Sequence, residues 1–97
     1  MVLEEKAFYD ILKALAAKYD FFYPEDKLLA LAVKVKEVVD DKAKYTDWSK
    51  RDDIKAELKA DLIIILADSD YPPIDRDEVY KEIFEQAENF KKYNKKN

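Results

Sequence analysis

Carboxylates are the residues of this chain with the most scope for chemistry. Asp53, Glu57 and Asp61 recur at i, i+4 and i+8, which aligns them on one flank of a helix. Like charges at this spacing cost about 0.2–0.5 kcal/mol per pair in an isolated helix. The flank is therefore either simply solvated, or compensated by a cation of this domain, a basic partner or a metal ion. A hard cation gathers its oxygens from more than one straight helix, which weighs against the metal. Asp61 has a further peculiarity, because Ile54, Leu58, Asp61 and Ile65 share one stripe and set it at the border of an apolar face. A carboxylate there is costly to bury unless paired, and arginine is the side chain best shaped to pair with it. Of the arginines, Arg51 lies too far along the same helix. Arg76, arriving from the loop after Pro72-Pro73, is the expected partner.

Other chemistry is thin. Histidine, cysteine and glycine are all absent. The usual general base, thiolate catalysis and a glycine-rich phosphate cradle are thereby excluded. Asp68-Ser69-Asp70 starts like a calcium loop, but Tyr-Pro-Pro follows and no closing Glu falls in register. No cofactor and no small-molecule substrate are expected. Tyr45 and Trp48 flank the start of the acid-bearing segment, either as a lid on the core or as anchors for a partner; with Asp53 and Glu57 they make up the candidate partner surface. Lys91, Lys92, Lys95 and Lys96 could touch phosphates, although a solvated, frayed tail over residues 91–97 explains them as well.

At 97 residues, 41% charged and 48% hydrophobic, the chain has the size and composition of one small folded domain. A net charge of −4 argues against a generic DNA-binding surface. The opening MVLEEKAFYD is charged too early for a signal peptide, and the longest apolar run, Leu62 to Ala67, cannot span a membrane. A cytoplasmic protein is expected.

Four helices account for the hydrophobic spacing, giving an all-α, compact four-helix domain. Leu3, Ala7, Phe8, Ile11, Leu12, Leu15 and Tyr19 set the first, from about Leu3 to Tyr19. Pro24 ends it, with Phe21, Phe22 and Tyr23 expected to plug a gap between helices; stacking on a ligand is the other use for them. The second, from Pro24 or Glu25 to about Asp41, carries Leu28, Leu31, Ala32, Val35, Val38 and Val39 on one stripe. Alternation between Ala32 and Val39 allows a strand, but the helical pattern continues unbroken from Leu28. Ser49 with Asp52 resembles a capping box for the third helix, and Thr46 or Asp47 is the other candidate cap. That helix carries Ile54, Leu58, Leu62, Ile65 and Leu66 on one face. Ile63 and Ile64 point elsewhere, so its last turns are expected to be surrounded by other helices. Pro72-Pro73 breaks the chain, Asp75 with Glu78 reads as the next capping box, and Val79, Tyr80, Ile83, Phe84, Ala87 and Phe90 form the last inward stripe.

The words YTDWSKRDDIKAELKADLIIIL, with EEKAFYDIL before and YPPIDRDEVYKEIFEQAENFKKYN after, carry a family resemblance. In that order they resemble the C-terminal region of the motor (R) subunit of type I restriction enzymes, from about Glu4 to Asn94. One departure is Ser69-Asp70 where that family often has Asn-Gly, so the left-handed turn that glycine serves is either made by Asp70 or lost. The resemblance implies a C-terminal fragment of a much larger subunit, an ATP-driven DNA translocase and site-specific endonuclease. Its nucleotide loop needs glycine and is not in this stretch. Glu57-Leu58-Lys59 matches the Glu-x-Lys of its nuclease site only nominally, since that triplet belongs on a strand. No catalytic residue carries over. What the resemblance implies is a non-catalytic module that joins the R subunit to the methyltransferase core, with DNA reached only indirectly. A DNA-contacting accessory domain and a purely structural cap are the alternatives.

Overall fold

A computed structural model describes residues 2–45 and 47–94, with 91–94 described by their backbone. Four helices form: α1 (Leu3–Lys18), α2 (Glu25–Ala43), α3 (Asp52–Asp68) and α4 (Asp77–Asn94), with a short 3-10 turn at Trp48–Lys50. No strand occurs among the described residues, so the helical reading of Ala32 to Val39 holds. Pairing runs α1 on α2, α2 on α3 and α4 back onto α1, which leaves α3 and α4 without a close seam. α4 continues to Asn94, into the stretch expected to fray, while Thr46, Lys95 and Lys96 lie outside the described residues.

The core follows the predicted stripes. Phe8, Leu12 and Leu15 of α1 meet Leu28, Leu31, Ala32, Val35 and Val39 of α2, Ile54, Leu58, Leu62 and Leu66 of α3, and Val79, Ile83 and Ala87 of α4. The end of α3 departs from expectation. Ile63 and Ile64 are 40% and 57% exposed, so this helix is not surrounded. The aromatic linker also differs: Phe22 stands out at 87% exposure and Phe21 at 41%, and Tyr23 alone plugs inward, donating its hydroxyl to the Ser69 carbonyl.

In a chain without glycine, two aspartates close helices. Asp20 (φ 63°) and Asp70 (φ 57°) are the left-handed residues that follow α1 and α3. Each end is a Schellman motif: Phe21 N–H donates to Ala16 O and Asp20 N–H to Ala17 O, and likewise Tyr71 to Leu66 and Asp70 to Ala67. Asp70 thus makes that turn, which is not lost. Left-handed geometry costs a residue with a Cβ about 1–2 kcal/mol, less for Asp, while glycine costs about 0.5–1 kcal/mol in chain entropy. Asp70→Gly is therefore expected to stabilise the domain by about 0.5 kcal/mol, read as a higher urea midpoint at unchanged m-value.

The capping boxes expected at α3 and α4 do not form. α3 begins at Asp52 with Arg51 in the cap position, because the buried Trp48 holds the preceding residues in the 3-10 turn. α4 begins at Asp77, two residues beyond the expected cap Asp75, and the Glu78 carboxylate turns instead to Lys18 and Tyr19 of the α1 end. At α1, Glu5 accepts from Val2 N–H at 3.2 Å, the reciprocal half of a box whose valine has no acceptor to complete it.

Candidate functional site

The acidic flank of α3 finds its cations within the domain. Arg51 Nη2 meets Asp53 Oδ2 at 2.9 Å, and Arg51 holds the Asp53 carboxyl below the usual carboxylate range. Lys42, near the end of α2, reaches Glu57 at 3.1 Å and lies 3.8 Å from both Asp61 and Asp41. The hydrogen bond that Lys42 donates to Glu57 is the main reason its ammonium is pushed above the ordinary lysine value, with Asp61 and Asp41 adding to it. Antiparallel packing of α2 on α3 places one lysine against two successive turns of acids. No group of three or more metal-binding side chains gathers among the described residues.

Asp61 therefore has Lys42 as its cation, not Arg76. The Arg76 guanidinium lies 4.7 Å from the centre of the Tyr19 ring, where it stacks as a cation on the α1 end. The reason is topological: α4 folds back onto α1, which takes the loop bearing Arg76 to that end of the bundle. Beside it, Glu78 accepts from Lys18 at 2.8 Å and from Tyr19 at 2.6 Å, and Lys18 first, then Tyr19, lowers its carboxyl below the ordinary value. Because Lys42 bonds Glu57 more closely than Asp61, Asp61→Asn is expected to stay within the ~0–1 kcal/mol of a surface pair. Lys42→Gln leaves Glu57 and Asp61 uncompensated together, while Asp41 keeps Lys44 at 3.8 Å, and is expected to lower the melting temperature further than Asp61→Asn does. Paired thermal melts at neutral pH in low salt, where screening is weakest, check the order.

The other residues of the candidate partner surface divide. Trp48 is buried at 2% exposure, its ring edge-on to Phe84 at 6.3 Å, so it is a lid on the core and not a free anchor. Tyr45 is exposed, with Lys44 over its ring. Asp53 and Glu57 face solvent while holding their cations. Glu57 and Lys59 sit on a helix, and Lys59 turns to Asp77 at 3.8 Å and to the Tyr80 ring, so the pair is not arranged as in a strand-borne nuclease triplet.

Sequence reasoning missed a second feature of α3. Ala56, Ala60, Ile63, Ile64 and Ala67 are all exposed and fall together on the outer side of the helix. Counting the residues that lie off the buried stripe could have found it. Sequence reasoning also missed a groove of about 430 Å³ between the start of α3 and α4, floored by Trp48, Tyr80 and Phe84 and walled by Lys55, Lys59, Lys81, Glu85 and Glu88. It exists because α4 packs on α1 and leaves the α3 side open.

No helix is long and apolar enough to cross a membrane among the described residues. Compared with known families, residues 1–93 match the model described as the C-terminal domain of type I restriction enzyme HindI endonuclease subunit-like proteins. No curated protein and no solved structure matches the chain.

Proposed function

Since the chain belongs to the family of C-terminal domains of type I restriction enzyme HindI endonuclease subunit-like proteins, we propose that it is a non-catalytic docking module, one that attaches such a subunit to its methyltransferase core. The observation that carries this reading is the match itself, which spans nearly the whole chain and names a C-terminal domain of the endonuclease subunit. Two features of the surface support it. The carboxylates that sequence suggests for chemistry are held by Arg51 and Lys42 in ordinary surface ion pairs. An exposed apolar flank on α3, centred on Ile63 and Ile64, is the kind of surface that a partner covers. DNA translocation and cleavage would then reside in other parts of the subunit, and the complex would work in the cytoplasm.

Capture of the chain by an immobilised methyltransferase core, at about 0.05 M and about 0.2 M salt, tests the proposal. Retention at both is expected of a partly apolar interface. Failure at both sinks the docking role. DNA binding that survives the higher salt would favour the accessory DNA-contacting role instead, since a few phosphate contacts are lost there.

A further inference from the structure

The groove between α3 and α4 has a polarity along its length. Contact of Lys59 with Asp77 and Tyr80, and of Trp48 with Phe84, sets the two helices antiparallel. Along α4, Lys81 comes one turn after Asp77, and Glu85 and Glu88 follow. Along α3, Lys59 and Lys55 come in the opposite chain order, with Ser49 and Trp48 at the far end. One end of the groove is therefore basic and the other acidic. At the basic end Lys59 is paired with Asp77, whereas Lys55 and Lys81 have no carboxylate within ion-pair distance among the described residues. Lys55 and Lys81 therefore leave positive charge at this end of the groove that no carboxylate of the described residues takes up, while Glu85 and Glu88 line the other end. Ile63, one turn beyond Lys59 on the same flank, extends the apolar surface out of the groove at 40% exposure.

Helices commonly carry acids in their first turn and bases in their last, to suit their own dipole. We propose that this groove seats an amphipathic α-helix of a partner protein, with apolar side chains down on the half-buried Phe84 and the exposed Ile63, above the buried Trp48 and Tyr80. Its acid-rich N-terminal turns lie between Lys55 and Lys81, and its base-rich C-terminal turns lie beside Glu85 and Glu88. The seated helix runs in the same direction as α4 and fills the seam that α3 and α4 leave open. The volume of the groove fits a few anchoring side chains at helical spacing, the usual mode of helix-in-groove recognition. This inference rests on the docking role proposed above and adds the surface and the chemistry of what docks.

Two synthetic helical peptides, alike in their leucine stripe, separate the outcomes. One carries glutamates in its first turns and lysines in its last; the other has the charges exchanged. Binding is read from Trp48, the single tryptophan, at the floor of the groove. The acid-first peptide is expected to bind about tenfold tighter, and Lys55→Glu with Lys81→Glu to abolish or invert that preference. Equal affinity, or a preference the variant leaves unchanged, overturns the proposal. The same double variant is then offered to the methyltransferase core, with circular dichroism confirming its fold. A loss of about tenfold in capture is expected. Capture equal to that of the parent chain overturns the groove while leaving the docking role intact. A core that captures neither chain refutes the docking role, and the peptide pair then decides the groove by itself.

Discussion

Replacing Trp48 by alanine is expected to remove about 3–5 kcal/mol of stability. That is a large share of the roughly 5–15 kcal/mol available to a domain of this size, and lowers the melting temperature by about 15–30 °C. Trp48 precedes α3 on a three-residue 3-10 turn, yet it is buried at 2% exposure and packs edge-on against Phe84 of α4. α3 and α4 have no close seam of their own, so this ring is a large part of what joins them. Alanine leaves a cavity that two helices anchored elsewhere cannot close. An exposed binding anchor would behave in the opposite way, with truncation weakening a partner and sparing the fold. Circular dichroism melts decide between them, because the variant has lost its only tryptophan fluorophore. A melting temperature within a few degrees of the parent would return Trp48 to the surface.

The parts of this fold that were legible in the sequence are those fixed by local spacing. Helix existence follows from stripes such as Leu28-Leu31-Ala32-Val35, and the breaks from Pro24 and Pro72-Pro73, where backbone chemistry leaves no choice. Asp70 was legible only through the family resemblance, because relatives often carry Asn-Gly where this chain has Ser69-Asp70, and the left-handed turn is indeed at Asp70. Side-chain partners are a different matter. Residue type points to Arg76 as the cation for Asp61, but reach decides, and Lys42 is within reach because α2 lies antiparallel beside α3. Glu78 fits a capping box three residues after Asp75, yet two partners from α1 outcompete the local bond.

Exposure of Ile63 and Ile64 shows the same limit from the apolar side. Five large aliphatics in a row read as the middle of a core, and Leu62 and Leu66 are indeed fully buried. A helix buries only as many faces as it has neighbours, and α3 has α2 on one side and an open groove on the other. The neighbour count is a property of the whole topology, which local periodicity does not contain. The exposed flank of α3 and the groove beside it were illegible for that reason, although every residue in them was in plain view.

Tyr71→Ala is expected to cost about 3–5 kcal/mol, comparable with Trp48→Ala, although its residue lies in a loop. Its ring is 1% exposed, packs edge-on against Tyr23 at 5.5 Å, and donates its hydroxyl to Leu12 O at 2.7 Å. One side chain thereby ties the end of α3 to α1 and to the linker between α1 and α2. Tyr71→Phe separates packing from the hydrogen bond, and its expected cost is only about 0.5–1.5 kcal/mol, because the ring still fills its place. The two variants also differ in alkali. Burial pushes the Tyr71 hydroxyl well above its ordinary value of 10.0, so the folded chain keeps this proton after the unfolded chain has released it. The unfolded state then binds fewer protons than the folded one, and stability must fall as pH rises above that value. Tyr9, Tyr19, Tyr23 and Tyr80 are raised in the same direction and contribute to the fall. Tyr71→Phe removes one share of it, so urea midpoints taken from pH 7 to about pH 11 should decline less steeply in this variant than in the parent chain. Parallel declines would mean that Tyr71 ionises as freely in the folded domain as in the unfolded chain, which a hydroxyl sealed against Leu12 cannot do.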